Sequence, residues 1–385
     1  MPMIAEHVLK AEDIHQISMK TLHKHLGLDI DGYRCDTDMV FNVLVKAASA
    51  NSSIEAACDD LVQVADSNTL REQLNTALDV ADLWRHEVEL NAALADGIPD
   101  NLTRQGVEVA VDYHDEPFYG KTPELRTYVC RDQAKKGTTR FFRVASAYVM
   151  WRGIRLTLAL TYVLPEQSTL NVLCRLLQRL GHLKIQAKVL YLDKGFCSGT
   201  VIDYLQAQQQ PAIIACAIRG KTGGTRALCK GRKSYRTAYT FTNGTSADMA
   251  VVATLPPGKS GKRRRKWLLF VVIGLNWSPR RVKRCYRRRF GIECSYRQMR
   301  QARISTNSRN PALKFFVLGL ALVLVNLWQR LRWIFFRRPG RGPATVMPQH
   351  FRFRRFISLL LRAVEHVYGV IMSIPTHASP QSVIH

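Results

Sequence analysis

Three carboxylates in this chain sit where metal-assisted chemistry on phosphates becomes feasible. Asp112 closes the apolar run Val107-Glu-Val-Ala-Val-Asp112, and Asp193 closes Ala187-Lys-Val-Leu-Tyr-Leu-Asp193. Each run predicts a strand, so each carboxylate emerges at a strand's C-terminal end. If the strands are neighbours, about 4.8 Å apart, the two acids share one cleft. Paired carboxylates repel, and a divalent cation with a taste for hard oxygen ligands, Mg²⁺ or Mn²⁺, removes that repulsion. The bland readings are a turn at Asp112 with Asp115, Glu116 and Pro117, and a helix cap at Asp193 before Lys194-Gly195.

Glu293 is the third. Between Lys259 and Arg300 there are fifteen Lys or Arg, and Glu293 is the sole acid. On a helix Tyr286, Arg289 and Glu293 fall at i, i+3 and i+7, and Arg300 returns to the same face two turns later. A solvated basic helix with one compensating acid explains the charge of this segment but not the shared face. A carboxylate flanked by cations on one face suits a metal ion held beside a phosphate.

The charge of the whole chain points the same way. Its 385 residues carry 56 Lys or Arg against 30 Asp or Glu, a net charge of +26, and are 46% hydrophobic, enough for packed cores in two or three domains. The first hundred residues hold 18 acids and 7 bases, leaving 12 acids against 49 bases in the remainder. That asymmetry is a polyanion-binding signature, with DNA or RNA as the expected partner. A membrane is not expected: the apolar run Phe315–Val325, continuing to Trp328, is bounded by Lys314, Arg330 and Arg332 and is shorter than the roughly 20 residues of a bilayer crossing. The N-terminal stretch has no continuous apolar core of a signal peptide, so a cytoplasmic, nucleoid-associated protein is expected. Nine cysteines without a C-x-x-C pair offer neither a disulfide framework nor a zinc module.

The elements that position these residues follow from periodicity. Helices are predicted over 37–50, 53–64 and 67–78, with Ser53 and Ser67 as N-caps. The short Ala65-Asp66 connection admits a helix-turn-helix that reads DNA, or a plain bundle for packing or subunit contact, which the acidic balance favours. After Gly106 strands are predicted at 107–112, 141–151 and 154–163, the last two forming a hairpin turned at Arg152-Gly153. A helix at 170–180, a strand at 187–192, a helix at 201–207 and a strand at 212–218 complete an α/β order. Residues 219–266 read as a basic, β-rich insertion with strands near 235–242 and 249–254. A strand at 267–275, a basic helix at 282–300 and an apolar helix at 315–328 follow, and residues 337–385 read as a basic tail rich in Arg and Pro at its start. The expected domains are therefore 1–100, helical; 101–218 and 267–336, the catalytic core; 219–266, the insertion; and 337–385, the tail.

The spacing Tyr286-x-x-Arg289-x-x-x-Glu293 followed by Arg300 resembles the Y-(2)-R-(3)-E-(6)-K signature of insertion-sequence transposases with a DDE triad. Val109-Ala-Val-Asp112 and Tyr191-Leu-Asp193-Lys-Gly-Phe196 are similar to the strand-end motifs that carry that group's two aspartates. The resemblance covers residues 107 to about 335, and Arg300 replaces the signature's Lys with a cation of different geometry. It implies an RNase H-like mixed sheet core interrupted by a β-rich insertion, and cut-and-paste transposition with two Mg²⁺ (or Mn²⁺) ions. Asp112, Asp193 and Glu293 would then be the catalytic metal ligands. Tyr286, Arg289 and Arg300 would position the DNA backbone, and a homodimer would pair the two terminal inverted repeats before joining target DNA.

Three other readings compete. Ala215-x-x-x-x-Gly220-Lys221-Thr222 and Ala253-x-x-x-x-Gly258-Lys259-Ser260 meet a relaxed phosphate-loop pattern, but neither runs into a good helix start. A tyrosine recombinase calls for His-x-x-Arg, and none of the eleven histidines has Arg three residues on. A basic DNA-binding protein descended from such a transposase, with a triad that no longer works, is the non-enzymatic alternative.

Overall fold

The computed structural model describes residues 8–120, 123–255, 265–338, 344–347, 349 and 351–373. The chain divides into two compact units, one of Met1–Glu89, Met299–Leu324 and Phe351–His385, the other of Leu90–Gln298 and Val325–His350. Its helices are α1 (Ala11–His25), α2 (Thr37–Ala50), α3 (Ile54–Asp60), α4 (Ser67–Ala77), α5 (Leu83–Ala95), α6 (Thr169–His182), α7 (Gly199–Ala207), α8 (Pro279–Tyr286), α9 (Phe290–Met299), α10 (Pro311–Phe336) and α11 (Phe353–Tyr368).

The first unit is helical, built from α1 to α4, most of α5, the first half of α10, and α11. Asp66 rather than Ser67 caps α4, accepting from Asn68 N and Thr69 N, and residues 61–66 form a longer link between α3 and α4 than Ala65-Asp66 alone. α11 falls within the stretch read as a tail; Phe353, Phe356, Ile357, Leu360 and Val364 bury one stripe of it, a periodicity hidden by its arginines. Lys46, buried in α2, is held by Glu365 (2.5 Å) and Asp60 (3.4 Å). The apolar helix α10 is longer than the expected 315–328. It is long and apolar enough to cross a membrane, yet 94% of its most apolar stretch is buried inside the protein.

The second unit is a mixed α/β structure built on one nine-stranded sheet. Its strands are β1 (Val107–Pro117), β2 (Cys130–Lys135), β3 (Thr138–Trp151), β4 (Ile154–Val163), β5 (Ala187–Leu192), β6 (Ala212–Cys216), β7 (Tyr235–Thr240), β8 (Ser246–Thr254) and β9 (Lys266–Ile273). The spatial order is β2-β3-β1-β5-β6-β9-β8-β7, with β4 pairing β3. β1, β5 and β6 are parallel and the other pairings antiparallel. This sheet is consistent with the RNase H-like core expected. The apolar runs Val109-Ala-Val111 and Val189–Leu192 are buried because these strands lie at the sheet's centre, covered on both faces. The β-prone pieces of the 219–266 stretch extend the same sheet beyond β9; residues 256–264, with Gly258, Lys259 and Ser260 of the second phosphate-loop pattern, lie outside the described residues.

The β3–β4 hairpin turns at Arg152 (φ 45°) and Gly153 (φ 82°), the two left-handed positions that a right-twisted hairpin favours. A side chain at Gly153 would also stand 2.6 Å from the Val346 carbonyl. The crossover from β4 to β5 is α6; Ser168 caps it, and Val172, Leu173, Leu176 and Leu180 are buried along one stripe. α7 follows β5, and α8 and α9 follow β9.

Beyond β3, the outer edge of β4 faces two buried amides. Asn91 accepts from Leu160 N (2.8 Å) and donates to Leu160 O (2.7 Å); Asn326 does the same to Thr157 at 3.1 and 2.7 Å. Leu158, between those two residues, is skipped in the pairing with β3, so both turn their backbone groups away from it.

Candidate active site

Asp112 lies inside β1 rather than at its end. The strand continues to Pro117 because β3 pairs with it as far as Phe141, overriding the turn-forming residues Asp115, Glu116 and Pro117. The parallel pairing with β5, however, stops at Val111↔Leu192. Asp112 and Asp193 are therefore the next residues on adjacent strands, at the point where the sheet opens. Asp193 precedes a single 3₁₀ turn, Lys194–Phe196, and makes no side-chain cap bond to it, which removes the capping account of that residue.

The expected basic helix is broken in two. α8 ends at Tyr286, Arg287–Arg289 form a 3₁₀ turn, and α9 begins at Phe290. Arg287 and Arg288 stay exposed while Arg289 is buried. Its guanidinium reaches all three carboxylates: Asp112 at 2.7 Å, Glu293 at 3.4 Å and Asp193 at 3.6 Å. One cation thus stands among three acids, an excess of two negative charges if all are ionised. The Glu293 side chain is half exposed, Asp193 less so and Asp112 least.

That arrangement leaves its mark on protonation. Burial pushes the Asp112 carboxyl up to about 6, against the pull of Arg289 and with a further push from Asp193. Burial would lower Arg289, but Tyr286, Asp112 and Asp193 hold it above the ordinary arginine value. Its Nε is buried without a hydrogen-bond partner.

Tyr286 supports the same point from beneath. Burial raises its hydroxyl well above the usual range, and that hydroxyl donates to the Leu192 carbonyl at 3.1 Å, one residue before Asp193. Its ring packs on Phe270 at 4.8 Å and lies 5.6 Å from the Arg289 guanidinium. Arg300 opens a 3₁₀ turn, Arg300–Ala302, in the other compact unit, where it is exposed.

The two aspartates line a cleft of about 940 Å³. Across it lies a second ionic cluster that sequence reasoning missed. Arg143 Nε donates to Asp115 Oδ1 (2.7 Å), its Nη2 to Asp115 Oδ2 (3.1 Å) and to Asp132, and Lys135 donates to Asp115 at 3.0 Å. The register Asp115↔Arg143 would have revealed the pair once β1 was extended past Asp112. On the other face of β1, His114 bonds Glu116 (2.8 Å) and stacks on Tyr296, whose hydroxyl meets Ser146 at 2.8 Å, anchoring α9 beneath Glu293.

Among the described residues no three His, Cys, Asp or Glu side chains are drawn together tightly enough to form a ready-made metal site. The donor set nevertheless fits a divalent ion in kind: three carboxylates of hard oxygen, short of positive charge, gathered round a cation whose Nε is orphaned. The first phosphate-loop pattern does not fit a nucleotide, because residues 220–222 lead into the 3₁₀ turn Gly224–Leu228 and not into a helix.

The model of the Transposase DDE domain family matches residues 131–327, just over half of the chain, and the chain belongs to that family. Asp193 and Glu293 lie inside the matched segment and Asp112 precedes it. Membership supports an enzyme of DNA transposition, and members of the family generally use divalent metal ions. No curated protein matches the chain.

Proposed function

We propose that this chain is a cut-and-paste transposase whose Asp112, Asp193 and Glu293 form the catalytic triad, acting at terminal inverted repeats and then on target DNA. The observation that carries the reading is the meeting of three carboxylates, from β1, from the end of β5 and from α9, on the single guanidinium of Arg289. Nothing in the packing of a structural core calls for two uncompensated negative charges at the mouth of a cleft.

In this reading Asp112, Asp193 and Glu293 hold Mg²⁺ or Mn²⁺, with two ions as the resemblance implies. A divalent ion at such a site supplies a Lewis acid that activates water or a DNA 3′-hydroxyl and stabilises the leaving oxygen. Arg289, relieved of its carboxylates by the metal, would turn its guanidinium to a phosphate of the DNA. Tyr286 fixes the Leu192 carbonyl and so the backbone that presents Asp193, a positioning role. Arg300 completes the Y-(2)-R-(3)-E-(6)-K pattern by holding the DNA backbone, and a homodimer joins the two ends.

One observation favours the alternative, an inactive DNA-binding descendant: Arg289 already supplies counter-charge to all three acids. Nicking of DNA bearing the chain's own element end, with Mg²⁺ or Mn²⁺, separates the two. Metal-dependent cleavage by the wild type, absent in Asp193→Ala with DNA binding retained, is the expected result. Binding without cleavage in either protein would establish the inactive reading.

A further inference from the structure

The helix that delivers Arg289 has a second, outward face that the triad does not use. Arg280, Lys283, Arg284 and Arg287 recur at i, i+3, i+4 and i+7, so they share one side of α8 and its 3₁₀ extension. Val282, Cys285, Tyr286 and Arg289 take the buried side. The outward four, with Arg232 and Lys233 from the segment before β7, line a cleft of about 780 Å³ that contains none of the triad residues and no acid.

Among the described residues these six cations have no carboxylate partner, whereas the adjacent Arg288 pairs with Glu108 and the nearby Arg236 with Asp248. The arrangement is costly for an isolated fold. Like charges at i+3 and i+4 repel along a helix, and Arg280 stands in the first turn, where the helix dipole favours anions. A polyanion laid along this face removes both penalties. The four cations span roughly 10 Å of helix axis, about three steps of 3.4 Å and so the length of four successive phosphates on one DNA strand.

We propose that this cleft is a second groove for the backbone of duplex DNA, read without regard to sequence and separate from the cleft of Asp112 and Asp193. The inference rests on the reading of the chain as a DNA-acting protein, but it can fail while the triad stands.

The test uses the full chain in EDTA, with a random-sequence duplex whose anisotropy is followed across a salt series. Replacing the four helix cations together (Arg280→Gln, Lys283→Gln, Arg284→Gln, Arg287→Gln) is expected to flatten the slope of log K against log salt by about 3.6, since each phosphate that is no longer neutralised accounts for about 0.9. The single Arg284→Gln variant is expected to flatten it by about 0.9, which serves if the quadruple variant unfolds. Asp193→Ala leaves the slope in EDTA unchanged and, in a separate assay with Mg²⁺ or Mn²⁺, abolishes nicking, so a failed groove and a failed triad give different patterns. An unchanged slope in folded Arg284→Gln and quadruple variants overturns the proposal. So does loss of binding to phosphatidylserine vesicles with the DNA slope intact, which would assign the face to a lipid surface.

Discussion

Two ionic clusters face each other across the cleft of the second unit, and they are built to opposite rules. Around Arg143 two cations meet two carboxylates, with Asp115 gripped by both nitrogens of the fork and by Lys135. Around Arg289 one cation meets three carboxylates at up to 3.6 Å. Asp112 and Asp115 are the same residue type, three apart on one strand, yet their protonation moves in opposite directions. Burial, with a further push from Asp193, raises Asp112 to about 6 against the pull of Arg289; burial also works to raise Asp115, but Arg143 and Lys135 outweigh it and hold the carboxyl below its ordinary value. Burial is common to both acids; what separates their protonation is the local count of charges. A balanced cluster contributes to holding the fold, and an acid-rich one keeps room for a further cation.

The two clusters differ most at Asp193. Its replacement by Ala is expected to reduce metal-dependent cleavage at least about a thousandfold, the loss of several kcal/mol of transition-state stabilisation, with little change in melting temperature. Cleavage within tenfold of wild type would remove the acid-rich cluster from the chemistry. At Arg143 the pattern reverses. Arg143→Ala leaves Asp115 and Asp132 against Lys135 alone, and chemical denaturation is expected to show a loss of about 3 kcal/mol, at the lower end for a buried pair stripped of one partner.

Metal discriminates the clusters next. Saturating Mn²⁺, at a hundredfold its dissociation constant, should stabilise the wild type by about 2.7 kcal/mol in thermal melts without DNA. The same addition should stabilise Arg143→Ala as much and Asp112→Asn far less. Acid acts on the balanced cluster. Because the folded value of Asp115 lies below its unfolded value of 3.8, its contribution is complete above that pH and is lost as the pH falls through the folded value. Denaturation midpoints taken from pH 5 downward should therefore converge for wild type and Asp115→Asn; parallel curves would refute the assignment. The smallest effect is expected at Asp112→Asn without metal, stability unchanged or raised by up to about 1 kcal/mol as one surplus charge is removed.

Much of this was open to a reader of the chain. Val107–Val111 and Val189–Leu192 are apolar enough to declare central strands, and Arg152-Gly153 marks its own hairpin turn. The opening of the sheet beside Asp112 and Asp193 follows from those strands. What stayed hidden depends on partners far away in the sequence. Asp115, Glu116 and Pro117 look like a turn until β3 is laid against them. Arg143 and Tyr286 reveal their roles only through Asp115 and the Leu192 carbonyl. The break after Tyr286, which turns Arg289 inward, follows no Gly or Pro; among Arg287, Arg288 and Arg289 the local sequence offers no signal for it. The amphipathic stripe of α11 was masked by arginines on the opposite side.

The amides of Asn91 and Asn326 have a further consequence for the molecule as a particle among copies of itself. A side-chain amide offers one donor and one acceptor in the same spacing as a peptide unit, so each asparagine acts as a strand one residue long. Laid against Thr157 and Leu160, they fill the hydrogen-bonding places through which β4 would otherwise accept an extended segment of another chain. Two positions on the outer edge of β4 are thus already taken, and the side chain that takes the one at Thr157 comes from the long apolar helix α10.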